Sequence, residues 1–266
     1  MLYERTDMAS ELISQSLSKD GISIKTYESD IFIISDINVN DKGAKALKRD
    51  AGRYVTVNFG SIWLFNEDCK EKAACELSRQ LKSFLKPNHK NVLICCIGNA
   101  DITADSLGPR VGERLLVNRH LRNDKRTFEQ VSAREISLIS PGVIGQCGIS
   151  IEELSRAISK LVSADLIIAI DALASNNVEG LGASIQITNT GIRPGSGAGG
   201  NRQEISHSTT GADVISIGVP TVAELSSPSS KSNKSKLFVS PKEIDYIIKA
   251  YSHIISRGIN MALKNF

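Results

Sequence analysis

Apolar and polar positions follow different rhythms along the chain. Before Asn91 the alternation is weak, over 31–34, 54–59 and 62–65, and a charged helical stretch runs from Glu67 to Leu85. Period-two alternation suits a half-buried strand and 3.6-residue spacing suits a helix, so this part predicts a small strand-rich entry followed by a helix. From Asn91 the rhythm sharpens. Val92-Leu93-Ile94-Cys95-Cys96-Ile97 is a continuous apolar run closed by Gly98-Asn99. It predicts a strand covered on both faces, because a strand covered on one face would alternate. A loop from Ala100 to Gly108 then leads into a helix with Pro109 at its first position, where the missing N–H would have no partner anyway.

Further along, Ser150 and Glu153 have the spacing of a capping box, and Leu154, Ala157, Ile158, Leu161 and Val162 share one helical face. Leu166 to Ile170 is a second doubly buried strand and Val214 to Val219 a last one. The tail repeats the capping pattern with Ser240, Pro241 and Glu243. Ile244, Ile247, Ile248, Tyr251, Ile254 and Ile255 then form the apolar stripe of a closing helix. The Ser/Lys-rich stretch 226–236 is too polar to pack and predicts a mobile loop. Strands alternating with helices give the fold class: α/β, a mostly parallel sheet flanked by helices, with a small strand-rich N-terminal part.

Composition sets limits on this picture. A chain of 266 residues with 41% hydrophobic positions can bury a core without staples. Its 32 Lys+Arg against 29 Asp+Glu are scattered, so charge selects no nucleic-acid partner. No apolar run approaches the roughly 18 residues of a membrane helix, and Glu4, Arg5, Asp7 and Glu11 interrupt any signal-peptide core. The expectation is a cytoplasmic protein with no membrane partner. Cys69, Cys75, Cys95, Cys96 and Cys147 form no C-x-x-C pair and no ligand spacing, which points to a reducing compartment without structural zinc. Neither a metal site nor a cofactor is expected.

Two carboxylates carry the candidate chemistry. Asp171 ends the Leu166 to Ile170 run, and Asp105 lies in the loop after the Val92 to Ile97 run. Ligands of open α/β sheets bind outside the carboxyl ends of the strands, where both residues fall. Two carboxyl groups held close together cannot both ionise cheaply, so one keeps a proton. The pair then supplies a general base for water and a general acid for a carbonyl or a leaving amine. A plainer reading has Asp105 capping the next helix and Asp171 bonding loop amides. In the glycine-rich stretch 190–200, Gly195, Gly197 and Gly200 satisfy G-x-G-x-x-G, but no apolar helix start follows. Either a close approach of a peptide substrate or a surface turn explains it, with Arg193 placed to hold a carboxylate or to cover the loop. No P-loop, G-x-S-x-G or H-E-x-x-H occurs. Among the thiols only Cys147, in Gly145-Gln146-Cys147-Gly148, looks accessible.

Taken in order, these segments resemble the germination protease family of spore-forming bacteria. Gly98-Asn99 with Thr103-Ala104-Asp105-Ser106-Leu107-Gly108-Pro109 is similar to the family's G-N and T-P-D-[AS]-L-G-P motifs, and Asn118-Arg119-His120-Leu121 to its T-R-H-L. Further matches are 141–149, Ala169-Ile170-Asp171-Ala172-Leu173-Ala174, the stretch from Ile185 to Gly197, 217–222 and the closing helix. The resemblance implies an endopeptidase whose two catalytic aspartates are Asp105 and Asp171, with a fold similar to hydrogenase-maturation peptidases. It implies a homotetramer in the forespore and spore core that needs no cofactor and cuts small acid-soluble, DNA-coating spore proteins during germination. Family substrates carry Thr-Glu-(Phe/Ile)-Ala-Ser-Glu, cut after the first Glu. Thr6-Asp7-Met8-Ala9-Ser10-Glu11 is similar to that site. Self-cleavage of a zymogen between Asp7 and Met8 is therefore implied, with 1–7 as propeptide and 8–266 as one peptidase domain in which Arg193, Gly195 and Gly197 hold substrate.

Three positions depart from the family pattern: Ala104 replaces a proline, Cys147 a threonine and Asn189 an aspartate. The 226–236 stretch also stands where many members carry a longer insertion. Two other readings remain open at this point. One is a metal-dependent peptidase in which Asp105, Asp171 and a histidine such as His120 bind a divalent ion. The other is a spore protein that keeps the groove but only binds.

Overall fold

A computed structural model describes residues 6–15, 20–194, 204–226 and 236–264. The expected loop 226–236, apart from its ends, and Gly195 and Gly197 lie outside the described residues. Among these residues nine strands form one sheet: β1 Ile22–Ser29, β2 Phe32–Val39, β3 Gly52–Asn58, β4 Asn91–Cys96, β5 Glu135–Ile139, β6 Leu166–Ser175, β7 Ser184–Thr188, β8 Asp213–Ser226 and β9 Lys236–Val239. The helices are α1 Ala9–Gln15, α2 Asp41–Leu47, α3 Glu67–Lys82, α4 Leu107–Gly112, α5 Lys125–Val131, α6 Ile144–Cys147, α7 Ile151–Val162, α8 His207–Thr210 and α9 Ile244–Lys264.

The spatial order is β1-β2-β3-β7-β8-β6-β4-β5, with β9 paired to β8. The block β8-β6-β4-β5 is parallel, and β1, β2, β3 and β7 extend it as an antiparallel meander. The strand-rich N-terminal part is thus a continuation of the main sheet. Helices cover both faces of the parallel block, which is why Val92–Cys96 of β4 and Leu166–Ile170 of β6 are apolar without alternation. Val92, Ile94, Cys96, Leu166, Ile168 and Ile170 pack with residues of α3, α4 and α9 on one face. Leu93, Cys95, Ile167 and Ala169 pack toward α7 on the other.

Several local expectations shift. The 62–65 stretch is a 3-10 turn, Ile62–Leu64, and not a strand. Helix α4 begins at Leu107, so Pro109 is its third residue, still within the turn whose N–H groups lack helical partners. The Ser150–Glu153 capping box forms as read, with Glu153 N–H donating to Ser150 Oγ at 3.2 Å. The buried face of α7, however, carries Glu152, Ser155, Ser159 and Val162, and Leu161 is 72% exposed. Ser155 lies 3.4 Å from the buried Cys95 thiol, so part of this contact is polar where pattern reading expects aliphatic packing. Helix α9 starts at Ile244 after a turn whose Pro241 carbonyl accepts Ile244 N–H, so Ser240 is not its cap. Its apolar stripe does pack into the core.

The connections create the crevice that matters. From β4 the chain passes through α4 on one face and reaches β5. It then crosses by α7 on the opposite face to β6, on the other side of β4. The direction of winding reverses between β4 and β6, which opens a gap above their carboxyl ends. Gly108 lets α4 close down onto this point. A Cβ there would lie 2.2 Å from the Ile97 carbonyl oxygen and 2.8 Å from that of Ile170. Gly108→Ala is therefore expected to lower unfolding stability by about 2 kcal/mol in urea denaturation, as core overpacking does. Gly145→Ala, whose Cβ would meet open space, should stay within about 0.5 kcal/mol of the parent.

Candidate active site

The crevice is a cleft of about 1240 Å³ lined by Asp105 and Asp171 and by the N-terminal residues Thr6 and Asp7. Asp105 closes a 3-10 turn, Thr103–Asp105, at the end of the loop that leaves β4. Gly98 makes the turn possible. Its φ is +122, and a Cβ on it would lie 2.0 Å from the Asp105 carbonyl oxygen. With no side chain in the way, Asn99 N–H donates to Asp105 Oδ2 at 2.9 Å and to its carbonyl oxygen at 3.1 Å. The carboxylate is thus aimed by the backbone. Gln146 Nε2 donates to Asn99 Oδ1 at 3.1 Å and ties the α6 turn to the same loop.

Asp171 does not end its strand as the sequence suggests, because β6 runs on to Ser175. By the two-residue period it shares a face with Ile167 and Ala169. It is 5% exposed, and its Oδ1 accepts the Ala172 N–H at 2.9 Å. In β8 its neighbour is Gly218, which in turn pairs with Gln186 of β7.

The last β4–β6 pair is Cys96 with Ile170, after which Ile97 N–H donates to the Ile170 carbonyl. Beyond it, β6 continues past the end of β4. The N-terminal segment lies on this stretch. Asp7 N–H donates to the Ala174 carbonyl at 2.8 Å, and Ala174 N–H donates to Asp7 Oδ2 at 3.0 Å. Arg49 donates to the Thr6 carbonyl and places a guanidinium nitrogen 3.7 Å from Asp7 Oδ1. Gln186 Nε2 donates to the Asp7 carbonyl at 3.1 Å, while its Oε1 accepts Ala9 N–H at 2.8 Å. Glu11, four residues after Asp7, accepts from the Ser175 hydroxyl at 2.6 Å and from Asn176 N–H at 3.0 Å. Met8 is buried.

Of the residues read from sequence, Asp7, Asp105, Asp171 and Arg193 therefore line one cleft. Arg193 stands there already paired, 3.1 Å from Asp50 and 2.8 Å from Glu204. His120 lines a separate pocket with Arg119 and Arg122, away from the two aspartates. Among the described residues no group of three His, Cys, Asp or Glu is placed to hold a metal ion, and no helix is long and apolar enough to cross a membrane. Asn189 accepts the Arg53 N–H through Oδ1 at 2.8 Å, a bond that the family's aspartate would also accept. Arg49 and Gln186 are contacts that sequence reasoning missed. Arg49 sits in the mixed-charge run Lys48-Arg49-Asp50, and Gln186 is one of three polar residues that alternate with two isoleucines in β7. Only the fold brings them to the cleft.

A family model described as germination protease matches residues 2–236 of this chain. The chain belongs to the germination protease family. The germination protease of Clostridium tetani is 32% identical over 307 residues, covering 98% of this chain and 95% of the relative. That of Caldanaerobacter subterraneus is 35% identical over 308 residues, covering 98% and 94%. That of Bacillus licheniformis is 36% identical over 259 residues, covering 93% and 67%. Among solved structures, a [NiFe] hydrogenase maturation protease, HycI from Thermococcus kodakarensis, aligns with a TM-score of 0.44 and 19% identity over 70% of this chain and 99% of its own. As a germination protease family member, the chain is a peptidase.

The two thiols of β4 are held inert. Burial pushes the Cys95 and Cys96 thiols up to about 12, which removes the reactive thiolate near neutral pH. Cys75 and Cys147 are exposed. Iodoacetamide labelling of the native protein, read by peptide mass spectrometry, should modify Cys75 and Cys147 and leave Cys95 and Cys96 untouched until denaturant is added.

Proposed function

We propose that this protein is an aspartic-type endopeptidase in which Asp105 and Asp171 share a proton and activate water against a peptide carbonyl. The observation that carries this reading is the convergence of the two carboxylates, from separate segments, on a cleft along which Thr6–Glu11 is laid. One aspartate takes a proton as water adds to the carbonyl carbon. The other gives a proton to the leaving amine, which balances the hydrolysis. An extended peptide adds by main-chain bonds to the part of β6 that outruns β4, as Asp7 does at Ala174.

The same segment supports the substrate class. An acidic side chain at the Asp7 position meets Arg49 and the Ala174 N–H, and a second one at the Glu11 position meets Ser175 and Asn176. This matches Thr-Glu-(Phe/Ile)-Ala-Ser-Glu, the site in small acid-soluble spore proteins that we assign as the substrate during germination. Thr6–Glu11 is then the chain's own copy, cut between Asp7 and Met8 when the zymogen matures. Forespore and spore-core location and a homotetrameric assembly belong to the same proposal.

The test is mass spectrometry of a Thr-Glu-Phe-Ala-Ser-Glu peptide incubated with the protein beginning at Met8, with and without chelator. Cleavage after the first Glu, unaffected by chelator, is expected. Asp105→Asn and Asp171→Asn should each lower kcat/KM by about 10³-fold while leaving the circular dichroism spectrum intact. An intact peptide with the folded parent would leave a binding-only protein. Activity lost to chelator and restored by a divalent ion would favour the metal-dependent reading.

A further inference from the structure

We infer that Gln186 is a catalytic residue that holds the carbonyl of the bond to be cut and stabilises the negative charge that develops on its oxygen. This inference rests on the proposed cleavage between Asp7 and Met8. The carbonyl of that bond belongs to Asp7, and the Gln186 carboxamide straddles it. Nε2 donates to the Asp7 oxygen at 3.1 Å on one side of the bond, and Oε1 accepts the Ala9 N–H at 2.8 Å on the other. The two contacts fix the carboxamide orientation, since only the nitrogen can donate and only the oxygen can accept.

Its place in the sheet gives the contact a direction. Asp171 and Gln186 both pair with Gly218, one from each side, so the three residues form one row across β6, β8 and β7. Residues paired across strands project to the same face, which puts the carboxylate and the carboxamide on one side of the sheet. Between them stands glycine, where a larger residue would not fit: a Cβ on Gly218 would lie 2.5 Å from the Leu173 side chain. Gln186 is 5% exposed and sits in a strand paired on both sides. A donor held this rigidly, away from bulk water, needs no reorganisation when charge appears beside it.

In the step, water adds its oxygen to the Asp7 carbonyl carbon and gives one proton to the basic aspartate. The π pair of the C=O bond moves onto the carbonyl oxygen, where Nε2–H meets it. Collapse re-forms the C=O bond and breaks the C–N bond to Met8, whose nitrogen takes the proton of the acidic aspartate. The Ala9 contact holds the leaving side in line.

The test uses the full-length chain with Gln186→Met, which keeps length and removes the donor, and Gln186→Glu, which places a carboxylate where Nε2 was. Three quantities are read: the first-order rate at which intact mass falls to that of the Met8 form, kcat and KM on added Thr-Asp-Met-Ala-Ser-Glu peptide, and hydrogen exchange of the Asp7 amide. That amide bonds to the Ala174 carbonyl and reports docking independently of Gln186. Thermal melts establish that both variants fold. Both are expected to lose about 10²- to 10³-fold in the self-cleavage rate and in kcat. KM should stay within about threefold of the parent, with the Asp7 amide still protected. Rates within about threefold of the parent, or a loss confined to KM and amide protection, would overturn the role. If the parent cuts neither its own segment nor the peptide, the peptidase reading itself fails and the role of Gln186 falls with it.

Discussion

The structure depends on one mismatch in strand length. β4 stops at Cys96 and β6 continues to Ser175, so beyond Ile170 β6 stays paired with β8 on one side while its β4 side is an open edge. Backbone groups at such an edge need partners, and an extended peptide supplies them. The Thr6–Asp7 segment does so at Ala174. Because β4 turns away at Gly98, its loop returns Asp105 to the same gap. One early strand end thus produces the crevice, the docking edge and the placement of both carboxylates along one cleft.

Electrostatics then constrains what can stand there. A carboxylate with 5% exposure at the top of an apolar strand is costly unless its oxygens are bonded. Asp171 accepts the amide of the next residue, and Asp105 accepts that of Asn99. Both bonds come from backbone that the fold already fixes, so each aspartate has at least one anchor that needs no side-chain partner. Arg49 brings positive charge to the Asp7 end of the cleft, while Arg193 is paired with Asp50 and Glu204. Under the proposed function, the cleft would read acidic side chains at its ends and leave its centre to water and the two carboxyl groups.

Much of this was legible in the sequence because burial on both faces leaves a strong mark. The unbroken runs at 92–97 and 166–170 predicted the two central strands, and an aspartate directly after one run and in the loop following the other marked the crevice. The α9 stripe and the Ser150–Glu153 box were equally plain, since spacing alone encodes them. Three things were not. The joining of β3 to β7 depends on contacts between residues about 130 apart in the chain, which no local pattern carries. The buried face of α7 is misread because Ser155 and Ser159 pack where Leu161 was expected. Arg49 and Gln186 look like surface charge and strand polarity until the N-terminal segment is seen beside them.

The central claim is that Asp105 and Asp171 act as a single unit, and a double-mutant cycle tests it most directly. Hydrolysis of the Thr-Asp-Met-Ala-Ser-Glu peptide would be measured for the parent, Asp105→Asn, Asp171→Asn and the double variant. If the two share one proton and one water, removing either already disables the pair. The double variant should then be no slower than the slower single variant. Losses that multiply, so that the double variant falls by the product of the two, would mean that the aspartates contribute independently and would contradict the account.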